Sequence, residues 1–243
     1  MSERPAFYAL PPGGWRDYVT LLHPPYTAWH LSYVAIGAAT AASLNGGYLL
    51  WSLLAFFLAV GLGAHALDEL RGRPLGTGIP GWVLVGIAAV GLGGAVALGV
   101  LGAIRVSAWV LAFIAAGSFI ALAYNLELFG GRFHTDLWFA LGWGGFPALT
   151  GAFAQTGRIA VAGLAAAAAC TAISAAQRIL STPVRRSRRA IVAVHGEAEL
   201  ADGTRERLDP AVLRQAPEAA LRWLSLAMPV LAAGLVLARL QSR

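Results

Sequence analysis

Long apolar stretches separated by short polar clusters run through the chain. Seven of them, at about 27–46, 48–70, 81–103, 107–128, 136–155, 158–180 and 219–240, are rich in Leu, Ala, Val and Gly. A helix needs about 20 apolar residues to cross a bilayer, and each stretch approaches that length. None carries the polar stripe at helical period that marks a helix lying on a soluble core. The pattern predicts an all-α polytopic membrane bundle of about seven transmembrane helices, forming a single membrane domain over 1–243. In the third stretch, Gly86, Gly91, Gly93, Gly94 and Gly99 allow neighbouring helices to approach closely.

Residues 181–218 break the pattern. An arginine cluster is followed by AIVAVHGEAEL, the turn Ala201-Asp202-Gly203, and TRERLD. Two roughly alternating runs joined by such a turn predict a short β-hairpin within a basic cytoplasmic loop. Asp209-Pro210 and Pro217 then lead into the last helix.

Composition agrees with lipid as the main solvent. Only 12% of the residues are charged, against about 25% in a soluble domain. All 18 basic residues are arginine, which excludes a Schiff-base or P-loop lysine. The single cysteine, Cys170, lies in an apolar run and reads as a packing residue. The net charge of +6 is explained by membrane topology rather than by nucleic acid, because the arginines flank apolar stretches. Fourteen arginines fall on the side of the N-terminus, and four (Arg105, Arg158, Arg239 and Arg243) on the other. The positive-inside rule then makes the first side cytoplasmic, in the cell membrane. Trp15, Trp29, Trp82, Trp109, Trp138 and Trp223 fall near predicted helix ends, as an aromatic belt requires. The first 25 residues are polar and rich in Pro and Gly, without the apolar region of a signal peptide.

The candidate chemistry collects at the cytoplasmic ends. The second stretch ends AHALDELRGRPLGTGIP, where His65, Asp68 and Glu69 stand at i, i+3 and i+4 of a helix. Such a face can hold a divalent cation, and Mg²⁺ in particular takes one or two carboxylates together with substrate phosphates. Alternatively, the two acids are interfacial anchors paired with Arg71 and Arg73. The fourth stretch ends AYNLELFGGRFHTDLWF, bringing Tyr124, Asn125, Glu127, His134 and Asp136 around one short loop. Glu127, among Leu and Phe, needs a partner, and Asp136 also suits a helix N-cap. Gln177 and Arg178 end the sixth stretch, where Arg178 can grip a phosphate. Arg185, Arg186, Arg188 and Arg189 read as a topology anchor and an anionic-lipid contact, or as further phosphate ligands. His30 opens the first stretch on the same side, and His23 and His195 read as surface residues.

These residues resemble the UbiA superfamily of intramembrane prenyltransferases. HALDELRGRPLGTGIP stands where that family has an Asp-rich motif followed by Arg-Pro and a short loop. AYNLELFGGRFHTDLWFALGWGGFPALTG is similar to its Tyr-Asn-like motif and following Gly-and-Pro helix, and HPPYTAWHLSYVAIGA to its first helix. The likeness covers about residues 20–180. At the four positions of the family's Asn-Asp-x-x-Asp-x-x-x-Asp pattern stand Ala64, His65, Asp68 and Gly72, and Gln177 and Arg178 occupy the place of its second acidic motif. The resemblance implies a UbiA-like bundle, an isoprenoid (prenyl diphosphate) substrate, Mg²⁺, and prenyl transfer or cyclisation. Asp68, Glu69, Tyr124 and Glu127 would be catalytic. His30, Arg71, Arg73, Asn125, Gln177 and Arg178 would bind substrate.

Two other readings stay open. His65, Asp68, Glu69, His134 and Asp136 together can bind a transition metal, since mixed imidazole and carboxylate ligation suits Fe or Zn. The third reading is a non-catalytic lipid- or isoprenoid-binding or transport protein that shares the fold. The sequence leaves oligomeric state and acceptor undetermined.

Overall fold

A computed structural model of the protein describes residues 4–241, so Arg243, used above in the topology count, lies outside the described residues. The chain is mostly helical. A short helix, α1 (Trp15–Leu21), precedes α2 (Pro24–Ala39). One continuous helical rod follows, made of α3 (Gly46–Phe56), a π-helical segment (Phe57–Ala64) and α4 (His65–Leu70). Then come α5 (Gly81–Arg105) and α6 (Val110–Asn125). A second interrupted rod joins α7 (Asp136–Ala140), a π-helical segment (Leu141–Gly145) and α8 (Phe146–Thr156). The chain ends with α9 (Val161–Arg189), the two-stranded sheet of β1 (Glu197–Glu199) and β2 (Arg205–Arg207), and α10 (Val212–Gln241).

Four helical rods, Gly46–Leu70, Gly81–Arg105, Val161–Arg189 and Val212–Gln241, are long and apolar enough to cross a membrane, and Val110–Asn125 is a shorter apolar helix. Their outer faces are apolar: on α5 alone Trp82, Val85, Val90, Leu101 and Ile104 stand exposed. An apolar surface of that extent marks a contact with lipid or another apolar partner. Trp15, Trp82 and Trp109 are also exposed near helix ends, whereas Trp223 is exposed within α10. Trp29 is not part of a belt. It is completely buried in the core, where its indole N–H donates to the Tyr33 hydroxyl at 2.6 Å.

Helix α2 is the hub, packed against α3, α8, α9 and α10. It crosses α8 without room for side chains: a Cβ on Gly37 would fall on the Ala148 carbonyl, and one on Gly151 on the Val34 carbonyl. Trp29, Tyr33, Ala148, Cys170, Val184, Leu221 and Met228 form the adjoining core.

Three boundaries differ from the sequence reading. The first long helix ends at Ala39, before the polar Ser43-Leu44-Asn45 turn, in which Asn45 caps α3 by accepting from the Tyr48 N–H. Helix α9 does not stop at residue 180 but continues through Pro183 to Arg189. Helix α10 begins at Val212 and runs through Pro217. The non-helical basic segment is thus much shorter than 181–218. What extends the helices is a buried ion cluster: Arg188 donates to both oxygens of Glu218, each at 2.8 Å, and Arg222 donates to the same carboxylate at 2.8 Å. A buried carboxylate held by two guanidiniums fixes the two helix ends against each other.

The predicted hairpin is present, with Glu197 paired to Arg207 and Glu199 to Arg205. Its turn is held by Asp202, which accepts from the Thr204 N–H at 2.9 Å and hydroxyl at 2.7 Å.

The close crossing of α2 and α8 is expected to tolerate no side-chain growth. Gly37→Val or Gly151→Val should cost about 3 kcal/mol or more through overpacking, read as a lower thermal midpoint in detergent. Gly86→Ala, where an added Cβ meets nothing within 4 Å, should leave the midpoint unchanged or raise it, by about 0.5–1 kcal/mol.

Candidate functional site

At the end of the bundle that carries the Arg-rich turns, α2, α4, α6, α7 and α9 surround a polar cavity of about 560 Å³. The termini of these helices set its walls. Helix α2 contributes Tyr26 and His30, α4 contributes His65 and Asp68, and the end of α6 contributes Tyr124 and Asn125. Phe139 and Trp143 enter from α7 and its π-helical extension, and Gln177, Arg178, Ser181, Arg185, Arg186 and Arg189 from α9. Residues 5–8 of the N-terminal segment close one side.

That segment is tied down at several points. Asp17 is buried and accepts from the Gly13 N–H and from the Gly78 N–H, each at 2.9 Å, linking α1 to the loop after α4. Arg189 donates to the Pro5 carbonyl at 3.2 Å, and the Arg222 guanidinium lies 4.8 Å above the Phe7 ring. The Tyr8 hydroxyl hydrogen-bonds His23 Nδ1 at 2.7 Å. The expectation of a surface His23 is therefore corrected. Its ring stacks on His65 with 4.1 Å between centroids, and burial, then the neighbouring His65, hold it well below its ordinary pKa. Burial likewise pushes the Tyr8 phenol well up.

The sequence-predicted residues divide into three groups. His30, His65, Asp68, Tyr124, Asn125, Gln177 and Arg178 line the cavity together. Arg71, Glu127 and His134 line its mouth, where Arg71 pairs with Glu127 at 3.3 Å. That pair supplies the partner Glu127 needs. The third group, Glu69, Arg73 and Asp136, is turned to other tasks.

Glu69 is fully buried and accepts from the Leu75 N–H (3.0 Å), the Thr77 N–H (2.8 Å) and the Thr77 hydroxyl (2.8 Å). Successive residues on a helix point about 100° apart. Asp68 therefore faces the cavity while Glu69 faces the loop, whose buried N–H groups need an acceptor. This corrects the placement of Glu69 beside Asp68 as a catalytic residue and ligand. Arg73, expected to bind substrate, donates to the Ile79 carbonyl at 2.6 Å and the Thr77 carbonyl at 3.3 Å, closing the same loop. Asp136 is exposed and accepts from Arg178 Nε at 2.7 Å, while Thr135 caps α7.

The metal grouping of His65, Asp68, Glu69, His134 and Asp136 does not assemble. His134 stacks on Tyr124 at 4.4 Å and bonds the Tyr124 carbonyl through Nδ1 at 2.9 Å, while His65 stacks on His23. Among the described residues no group of three or more His, Cys, Asp and Glu side chains comes together as a metal cage. Among the described residues two carboxylates, Asp68 and Glu127, line the cavity, and Glu127 is taken by Arg71. Asp68 shares the cavity with Arg185 and Arg189. One carboxylate among arginines is a poor donor set for a resident Mg²⁺, which needs acidic oxygens and is repelled by neighbouring cations. The residues present do not fit that ion.

Tyr8, Tyr26 and Phe139 line the cavity without standing out in the sequence, whereas Arg185, Arg186 and Arg189, which the sequence offers as a topology anchor or as further phosphate ligands, line it too. A signal existed for the arginines. With α9 unbroken, Arg178, Arg185 and Arg189 stand at i, i+7 and i+11, a single helical face. Pro183 made a break there the natural expectation.

Several polar atoms in this cavity are buried without a well-formed hydrogen bond: both ring nitrogens of His30, His65 Nδ1, His23 Nε2, the Tyr124 hydroxyl and Gln177 Oε1. Native proteins leave few such atoms, and a group of them in one cavity is where ordered water or a polar ligand finds its partners. Beyond Trp143 the surroundings change. Trp143 also walls an apolar cavity of about 130 Å³ lined by Val60, Ala64, Leu92, Ile120, Ala121 and Phe146. A further cavity of about 290 Å³ shares Phe56, Gly99 and Val110 with it and reaches Asn45 and Arg105, at the other end of the bundle.

Replacing Glu69 by Ala should remove about 3 kcal/mol of stability by stranding buried N–H donors, read from the thermal midpoint in detergent. Asp68→Asn, which breaks no salt bridge, should stay within about 1 kcal/mol of the parent protein.

The chain matches no protein-family model, no curated protein sequence and no solved structure.

Proposed function

We propose that the protein is a UbiA-like integral membrane enzyme that takes an isoprenoid diphosphate and breaks its allylic C–O bond, for prenyl transfer or cyclisation. The observation that carries this reading is the junction at Trp143, where a polar cavity lined by arginines meets an apolar one running along the bundle. A ligand with a charged head and a long apolar tail matches both halves.

The residues divide the chemistry between them. Arg178, Arg185 and Arg189 face the leaving diphosphate, which departs with the bonding electron pair, and fixed positive charge favours that departure. Tyr124, Phe139 and Trp143 present aromatic faces beside it: Tyr124 and Trp143 lie 4.5 Å apart, and Phe139 stacks on Trp143 at 5.7 Å. Such faces stabilise an allylic cation and exclude water from it. The cation is consumed when an acceptor, or a double bond of the same chain, supplies electrons and gives up a proton. Asp68, without an arginine salt bridge among the described residues, is positioned as the group that takes that proton.

In this reading the helical segments cross the bilayer seven times, with the N-terminus, the hairpin and the polar cavity on the cytoplasmic side of the cell membrane. The arginine excess at that end supports the orientation. The partners are the bilayer and an isoprenoid or related lipid, with no nucleic acid.

Tail length provides the test. In detergent, affinity should rise from geranyl through farnesyl to geranylgeranyl diphosphate, since each buried methylene contributes about 0.8 kcal/mol. Ala121→Phe, which fills the apolar cavity below Tyr124, should flatten that series while leaving geranyl diphosphate bound. Thermal midpoints with each ligand read the outcome. Equal midpoints with and without every diphosphate would remove this function, and binding without turnover in the presence of acceptors would leave a lipid-binding protein.

A further inference from the structure

We propose that the polar cavity is a metal-free diphosphate site, in which arginines of α9 neutralise the charge otherwise given to a divalent cation. The inference rests on the isoprenoid diphosphate reading and names how its head is held.

Three observations converge on it. First, among the described residues the cavity carries an excess of positive charge: Arg71, Arg178, Arg185, Arg186 and Arg189 line it, against the carboxylates of Asp68 and Glu127. Second, the arginines retain donors. Each guanidinium has five N–H groups in a planar fork suited to phosphate oxygens. Arg189 uses Nε on the Pro5 carbonyl, Arg185 reaches the Thr182 hydroxyl at 3.4 Å, and Arg178 uses Nε on Asp136. Among the described residues neither Arg185 nor Arg189 forms a salt bridge with a carboxylate. Third, buried groups await a partner. The Tyr124 hydroxyl and both nitrogens of His30 are at least nine-tenths buried, line this cavity and close no hydrogen bond of good geometry. A neutral imidazole and a phenol each offer one donor to a phosphate oxygen.

The spacing suits an elongated anion. Arg185 and Arg189 stand one turn apart on one face of α9, about 6 Å along its axis at about 1.5 Å per residue, a separation comparable to the length of a diphosphate, and Arg178 lies on the same face farther toward the helix N-terminus. Asp68 lines the same cavity as Arg185 and Arg189, and its negative charge disfavours an anion beside it, leaving the head to the arginines.

Calorimetric titration of the full chain in mild detergent with geranylgeranyl diphosphate, with EDTA and then with Mg²⁺, provides the test. Inorganic pyrophosphate and geranylgeraniol serve as head-only and tail-only probes. Geranylgeranyl diphosphate should bind in EDTA, with an affinity that Mg²⁺ changes less than about threefold. The double substitution Arg185→Gln, Arg189→Gln should weaken it at least about tenfold, and Arg185→Lys, Arg189→Lys should recover part of that loss by restoring charge without the planar fork. Unliganded thermal midpoints equal to the parent show that the variants fold. Pyrophosphate binding as well as the lipid identifies the head alone as the ligand, whereas pyrophosphate silence beside lipid binding in EDTA identifies the lipid form. Both outcomes keep the metal-free site. Binding that needs Mg²⁺ and disappears in Asp68→Asn would overturn the metal-free site and leave the isoprenoid reading intact. Geranylgeraniol binding as tightly as the diphosphate would overturn the arginine site as well. No binding of any diphosphate under either condition would remove both.

Discussion

The cost of burying polar groups in an apolar bundle governs this structure. The polar side chains that tie the segments of the fold together are hydrogen-bonded. Glu69 collects three donors from its loop, Asp17 joins two separate backbone N–H groups, and Glu218 is held by Arg188 and Arg222. Within the cavity the opposite holds, and His30, His65, Tyr124 and Gln177 keep buried polar atoms without well-formed hydrogen bonds. A buried polar atom without a partner costs on the order of 1–3 kcal/mol. Outside the cavity Gln155 Nε2 and Ser174 Oγ are in the same state, but most such atoms among the described residues collect around this one cavity, which is the physical basis for reading a binding site here.

Two backbone features let the bundle hold that site. The π-helical segments Phe57–Ala64 and Leu141–Gly145 lie immediately before His65 and around Trp143. Each extra residue in a helical turn shifts the faces of the helix that follows, and such segments recur at functional sites. The second segment is possible because its glycines lie against α9: a Cβ on Gly144 would meet the Cys170 carbonyl and Ser174, and one on Gly145 the Thr171 hydroxyl. This close approach brings Trp143 to the junction between the polar and apolar cavities. The N-terminal segment completes the enclosure, and the same α9 terminus that lines the cavity also anchors that segment at Arg4 and Pro5.

Much of this was legible in the sequence because it depends on local pattern. The apolar stretches mark the helices, Ala201-Asp202-Gly203 marks the hairpin, and cavity residues such as His30, Asp68, Tyr124, Gln177 and Arg178 stand out as polar groups at apolar helix ends. What was hidden depends on contacts between distant segments. Nothing near Glu69 in sequence says that the loop at Leu75–Thr77 will claim its carboxylate. The continuation of α9 through Pro183 is supported by Arg188 meeting Glu218, 30 residues away. His23 looked like a loop residue because its partners, Tyr8 and His65, come from different segments.

A structure of the protein with a non-hydrolysable geranylgeranyl thiodiphosphate would test the central claim most directly. The account predicts phosphate oxygens within hydrogen-bonding distance of Arg185 and Arg189, beside Tyr124, and the isoprenoid tail passing Trp143 into the apolar cavity toward Phe56. Phosphates placed outside the α9 arginines, or a tail lying on the outer face of the bundle, would contradict it.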